Sequence, residues 1–249
     1  MRMKTLAVYN LKGGVGKTAA SVNLAYLASQ SGLRTLIWDL DPQGAASWYF
    51  QAKEGESTDK SLWKTGGDIE SAIQSTAYDK LHLIPADLHA RHIDVWLRKD
   101  EGNGALLEKL KAVNRRYDLV ILDCPPSLSH LADNVFIASE LVLVPTVPTH
   151  LSLRALKTLI DYFAELGYPR NTLKPFWSLA DRRRLLHRML IEQPPKIIKD
   201  VCKTVIPYAS AVERMGEHRA PLEVYESYGY AAEAYRELWK EVSGLLKKF

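Results

Sequence analysis

Asn10-Leu11-Lys12-Gly13-Gly14-Val15-Gly16-Lys17-Thr18 is the stretch whose reading decides the fold. It follows the apolar run Leu6-Ala7-Val8-Tyr9 and opens a helical pattern with apolar positions at Val22, Leu24, Ala25, Leu27 and Ala28. A strand, a glycine-rich turn and a helix are the setting in which a loop cradles phosphate. Glycines let the backbone bend so that successive N–H groups converge on phosphate oxygens, and the helix that begins there adds the positive end of its dipole. In such a loop Lys17 reaches the β- and γ-phosphates and the Thr18 hydroxyl ligates magnesium. A plain turn between strand and helix would account for the glycines, but not for two lysines and a threonine.

Two further stretches end in carboxylates. Arg34-Thr35-Leu36-Ile37-Trp38-Asp39 reads as a buried strand running into Asp39-Leu40-Asp41-Pro42-Gln43-Gly44. Tyr117-Asp118-Leu119-Val120-Ile121-Leu122-Asp123 reads as another, followed by Cys124-Pro125-Pro126. Four apolar residues ending in an aspartate form a Walker B strand, whose carboxylate holds magnesium, commonly through water. Carboxylates at the ends of parallel strands beside a phosphate loop lie where open α/β sheets bind ligands. An Asp-Pro turn would explain Asp39 or Asp41 alone; it explains the whole block poorly.

The spacing G-x-x-x-x-G-K-[ST] would place a glycine at Leu11; this chain instead has a second lysine, Lys12, before Gly13-Gly14. From Lys12 through Thr18 it resembles the deviant Walker A ATPases of the ParA/MinD family, ParA/Soj type, whose signature is K-G-G-x-G-K-[ST]. The block from Asp39 to Gly44 is similar to that family's switch I, and Asp123 to Pro126 to its switch II. The resemblance implies a nucleotide site of Lys12, Gly13, Gly14, Val15, Gly16, Lys17, Thr18 and Ala19. It implies magnesium served by Thr18, Asp39 and Asp123, and Asp41 orienting the attacking water. It implies that Lys12 reaches across to phosphates bound by a second copy, so that ATP and Mg2+ clamp a homodimer. Pro207 would help form the adenine pocket, with Tyr208 standing where an arginine is common. Ala19, where a second threonine often contacts the α-phosphate, and Leu11, for a common glutamine, depart from the pattern. The implied fold is one α/β domain over residues 1–249, a mostly parallel sheet of about seven strands with helices on both faces.

The rest of the chain fits that alternation. Leu81-His82-Leu83-Ile84-Pro85, Glu140 to Pro145, Leu173 to Leu179 and Cys202 to Ile206 read as strands. Helical patterns follow Asp87 (Leu88, Ile93, Val95, Trp96, Leu97), mark Leu106, Leu107, Leu110 and Val113, and run from about Leu151 to Leu166. A long closing helix is expected from Tyr225 to Leu246, broken near Gly229, and residues 51–80 read as short helices and loops.

The net charge of +4 is mild, but it is not evenly placed. Between residues 170 and 220 there are eleven Lys and Arg against five Asp and Glu. A clustered basic face is the footprint of sequence-independent DNA binding through phosphates, although a solvated helix face gives the same count. Arg182, Arg183, Arg184 and Arg188 fall at one expected helix start, Lys196, Lys199 and Lys203 recur at helical spacing, and Arg214 and Arg219 follow. The resemblance implies non-specific double-stranded DNA as a partner, with a ParB-like protein stimulating a slow ATPase that partitions or positions a plasmid, chromosome or protein cargo.

Other classes fit less well. The chain has 47% hydrophobic and 25% charged residues, ordinary for a globular protein. Met1-Arg2-Met3-Lys4 runs straight into a strand, so no secretory leader is expected, and no uncharged apolar run spans a membrane. A cytoplasmic, nucleoid-associated protein is the expectation. Cys124 and Cys202 have no metal-ligand spacing and do not resemble the cluster cysteines of nitrogenase iron protein; Cys124 reads as a small buried residue. His89 and His92 lack neighbouring ligands. The alternative is a MinD-like membrane-cycling ATPase, whose last helix lies on lipid. Here Glu233, Glu237 and Glu241 interrupt the basic face and Gly244 weakens the helix, favouring a last helix packed on the domain.

Overall fold

The structure, a computed structural model, describes residues 2–53, 68–86, 104–198 and 200–249. The helix expected after Asp87, most of the polar stretch before residue 68, His89, His92 and Lys199 fall outside them.

Eight strands form one sheet: β1 (Lys4–Val8), β2 (Thr35–Asp39), β3 (Gln74–Ser75), β4 (Leu81–Ile84), β5 (Leu119–Asp123), β6 (Leu141–Thr146), β7 (Leu173–Ala180) and β8 (Val205–Pro207). Their spatial order is β3-β4-β2-β5-β1-β6-β7-β8, and every pairing is parallel except β3 with β4. The strand that the sequence reading did not anticipate is β3. Its two residues lie in the polar stretch and pair antiparallel with Leu83 and His82 at the sheet edge, too short to carry a period.

Alternate residues of each strand feed opposite cores. Ala7, Leu36, Trp38, Val120, Leu122, Val142 and Val144 face one layer; Leu6, Val8, Ile37, Leu119, Ile121, Leu141 and Leu143 face the other. Being buried on both faces, these strands read as unbroken apolar runs, the mark of a parallel sheet. The first layer holds α3 (Ala105–Ala112), α4 (His130–Ala138) and α5 (His150–Glu165), with Leu190 of α6 (Leu185–Glu192). The second holds α1 (Lys17–Gln30), α2 (Ala45–Tyr49) and α10 (Tyr230–Leu246). Three short helices, α7 (Ser210–Glu213), α8 (Met215–His218) and α9 (Leu222–Tyr225), lead into α10.

Two local readings of the C-terminal third change. Arg182, Arg183 and Arg184 lie in the turn before α6, which begins only at Leu185; the Arg183 N–H and Nε both donate to Asp181 Oδ1, fixing that turn. Lys196 and Lys203 are not on a helix, because Pro194-Pro195 ends the helical register just after α6. The last helix does break at Gly229, its N-cap, and continues through Gly244 to Leu246. Its apolar residues Ala231, Ala232, Tyr235, Leu238, Trp239, Val242 and Leu246 are buried in the second core.

Candidate nucleotide site

β1 lies between β5 and β6 at the middle of the sheet, so the loop after it sits in the crevice beyond the strands' carboxyl ends. The loop is pinned from below by Asn10. Its Nδ2 donates to the Pro145 carbonyl at 2.8 Å, and its Oδ1 accepts from the Lys12 N–H at 2.8 Å. Gly16 takes φ +89°, where a side chain is strained, and a Cβ there would stand 2.9 Å from Ser178 Oγ. Ser178 itself donates to the Val15 carbonyl at 2.8 Å. Neither Asn10 nor Ser178 carries a motif; only the folded loop shows that they shape it.

The two loop lysines have different surroundings. Lys17 is buried, with Nζ 3.4 Å from the Lys12 carbonyl. Burial lowers its pKa below the usual lysine value, opposed by the charges of Asp123 and Asp41. Lys12 is half-buried at the rim, and its Nζ donates to Ser152 Oγ at 3.3 Å, at the start of α5. Gly13 and Gly14 are exposed, Val15 and Ala19 buried. Thus one lysine sits inside the cradle and the other on its lip.

Three carboxylates converge below. Asp39 and Asp123 end neighbouring strands and are paired in register. Asp123 is fully buried; Ser21 Oγ donates to its Oδ1 at 2.8 Å, the Thr18 hydroxyl lies close enough to help hold its pKa down, and its Oδ2 has no partner. Burial pushes its pKa up, and the nearby Asp39 pushes the same way. Asp39 is also pushed up by burial, held back by its hydrogen bonds to Ser47. Its Oδ2 accepts from Ser47 N–H at 2.8 Å and Ser47 Oγ at 2.7 Å, and its Oδ1 from Asp41 N–H at 3.2 Å. The roles therefore separate. Asp123 keeps a buried oxygen free for a cation, directly or through water, with Thr18 beside it, whereas Asp39 is occupied in holding the turn that carries Asp41. Asp41 is half-buried, and its Oδ1 accepts from the Gln43 N–H at 3.0 Å. A buried carboxylate with an unpaired oxygen beside a threonine hydroxyl fits a hydrated magnesium ion.

Further along the same sheet end, a groove of about 1040 Å³ includes Pro207, Tyr208, Arg182, Arg183 and Lys203 in its lining. Pro207 is half-buried; Tyr208 is exposed and its hydroxyl donates to Glu213 at 2.8 Å. The groove brings three of the expected DNA residues together. Arg184 and Arg188 are exposed beside it in sequence, as is Lys196. Arg214 lies off the groove lining and pairs with Glu226 at 2.7 Å, and Arg219 stacks on Trp48. Cys124 is buried and its thiol pKa is pushed up by burial, as suits a packing residue.

A phosphate-cradling loop between a central parallel strand and a helix, with a carboxylate on the neighbouring strand, defines a P-loop nucleotide-binding protein. Residues 3–173 match the AAA-domain family model. The chain is 32% identical over 248 residues to the sporulation initiation inhibitor protein Soj of Bacillus subtilis, covering 96% of this chain and 98% of that protein. It belongs to the ParA/MinD family of deviant Walker ATPases. Among solved structures it is similar to cobyrinic acid a,c-diamide synthase of Mycobacterium smegmatis, bound to an ATP analogue and magnesium (25% identity, TM-score 0.80, 97% of this chain and 94% of that one). A plasmid partition protein of Borrelia burgdorferi bound to AMPPNP shares the fold (21% identity, TM-score 0.81, 99% of this chain and 100% of that one). Among the described residues no helix is long and apolar enough to cross a membrane.

Proposed function

We propose that this chain is a partitioning or positioning ATPase that closes into a homodimer around two Mg-ATP molecules and, in that state, binds double-stranded DNA without sequence preference. The supporting observation is the division of labour between the loop lysines, with Lys17 buried in the cradle and Lys12 on its lip, bonded to a serine hydroxyl. A cation on the lip, outside its own cradle, suits phosphates held by a second copy, where it would stabilise charge on the transferring oxygens as an arginine finger does. Gly13 to Thr18 bind the phosphates through backbone N–H groups, and Asp123 with Thr18 holds magnesium. Magnesium, when bound, neutralises charge between the β- and γ-phosphates. Asp41 orients the attacking water and accepts its proton, and the Asp39–Ser47 hydrogen bonds keep the Asp41 turn in place. Loss of the γ-phosphate removes what both copies hold, and the pair separates.

The exposed Arg182, Arg188, Lys196 and Lys203 supply the charge for DNA phosphates, with Arg183, Arg184, Arg214 and Arg219 contributing less because they already have partners. Hydrolysis is slow until a ParB-like protein stimulates it, and the protein works on the nucleoid in the cytoplasm. Against the membrane-cycling alternative stands α10, whose apolar face is taken up by the core and is not available to lipid. A gel shift on random duplex DNA with ADP, ATP and a non-hydrolysable analogue tests the reading. Retardation only with the triphosphates is expected; equal retardation without nucleotide overturns it.

A further inference from the structure

The segment that follows Asp41 is fastened at two ends, and the second fastening has no counterpart in any motif. At the buried end, Ser47 of α2 is bonded to Asp39 through both its N–H and its Oγ. At the exposed end, Trp48 and Gln51 meet the α8 segment of the C-terminal third. The Arg219 guanidinium lies over the Trp48 ring, 3.9 Å from its centroid, and Arg219 Nε donates to the Trp48 carbonyl at 3.2 Å. Trp48 Nε1 donates to the Gly216 carbonyl at 3.2 Å, and Gln51 Nε2 to the Arg219 carbonyl at 3.2 Å. Four contacts thus tie two stretches about 170 residues apart in sequence.

Both sides of this clasp are held in backbone conformations that side chains rarely adopt. Gln51 has φ +54° and Arg219 φ +48°, two of five such non-glycine residues among the described residues. Left-handed backbone at non-glycine residues persists where the surroundings enforce it and gathers at functional sites. The Asp41 turn is continuous with the clasped helix. Gly44 N–H donates to the Asp41 carbonyl at 2.9 Å, and Trp48 N–H to the Gly44 carbonyl at 2.9 Å.

We propose that Arg219 is a positioning residue for hydrolysis. Through Trp48 it fixes the outer end of α2 and so the placement of Asp41, coupling the phosphate-sensing turn to the C-terminal third. Arg219 was expected on the DNA surface; its ring stack and its bond to the Trp48 carbonyl assign it to this clasp. The inference rests on Asp41 acting in ATP hydrolysis, and the full-length protein can separate the two ideas. Absence of ATP turnover by the wild-type chain, with or without DNA and an activator, would sink the functional reading; the variants below address the clasp alone.

In steady-state ATPase assays, Arg219→Ala and Trp48→Ala should each lower kcat about tenfold while KM for ATP stays within about twofold, the pattern of a misplaced reacting group. Their combination should do no more than either one. Arg219→Lys and Trp48→Phe, which keep a cation over an aromatic face, should recover most of the loss. Unchanged kcat in Arg219→Ala overturns the proposal, as does a loss that Arg219→Lys and Trp48→Phe fail to recover. A joint fall of kcat, of apparent ATP affinity and of Tm would show a merely structural contact. A loss of DNA affinity with normal turnover would return Arg219 to the DNA surface.

Discussion

The nucleotide end of the sheet and the C-terminal third use charge in opposite ways. At the first, Lys17, Asp39 and Asp123 are buried, and each has a partner fixed by the fold. In the second, Arg182, Arg184, Arg188, Lys196 and Lys203 are exposed, while Asp181 pairs with Arg183 at 2.9 Å and Glu226 with Arg214 at 2.7 Å. Buried charges need specific neighbours, so their chemistry leaves a contiguous motif; exposed charges need only sum to a field, so theirs leaves a composition. The difference predicts that single substitutions are decisive at the first region and graded at the second.

The largest effect belongs to the cradle. Lys17→Ala should remove ATP binding and turnover together, read by calorimetry and phosphate release. Asp41→Ala should leave binding intact and cut hydrolysis by about two orders of magnitude or more, so that an ATP-bound dimer accumulates on DNA. Hydrolysis at the wild-type rate would remove Asp41 from the mechanism. Gly16→Ala combines a strained φ with a clash against Ser178 and should cost about 1–3 kcal/mol in chemical denaturation, besides weakening nucleotide binding.

The carboxylate pair gives a pH signature. Asp123 is raised to about 7 and Asp39 to about 6, above the unfolded carboxylate value near 4. Groups with raised folded pKa values bind more protons in the native state across that interval, so without magnesium stability falls as pH rises from about 4 to about 7. Thermal melts of metal-free protein should show that fall, and Asp123→Asn should flatten it while abolishing the stabilisation that magnesium with ATP confers. The smallest effects lie in the C-terminal third. Charge reversal at Arg182 with Lys203 should weaken DNA binding and lower the slope of log affinity against log salt by roughly two to four, leaving nucleotide affinity alone. Reversal at Arg214, already paired with Glu226, should do less per charge.

The same contrast explains what could be read in advance. Lys12 to Thr18, Asp39 to Gly44 and Asp123 stand in the sequence as blocks, because a loop, a turn and a strand end each use neighbouring residues. The parallel sheet was legible from strands buried on both faces. Asn10, Ser21, Ser47 and Ser178 were not, since each acts by meeting a residue that only tertiary structure supplies. Ser21 alone had a local signal, lying one helical turn beyond Lys17 on α1. The helical spacing of Lys196 and Lys203 misled because Pro194-Pro195 outweighs a charge period, and the β3 edge was invisible because two polar residues carry no pattern. The basic count in residues 170–220 overstated the free charge, for composition does not reveal Asp181 beneath Arg183 or Trp48 beneath Arg219.

Lys12 carries the account's central claim, that triphosphate occupancy governs pairing because one copy's lysine serves the other's phosphates. Sedimentation of Asp41→Ala protein with Mg-ATP, with and without Lys12→Ala, tests it most directly. The account predicts a dimer that reverts to monomer when Lys12 is removed while each chain still binds one ATP. A dimer that persists without Lys12, or a monomer in the parent protein at saturating ATP, would contradict it.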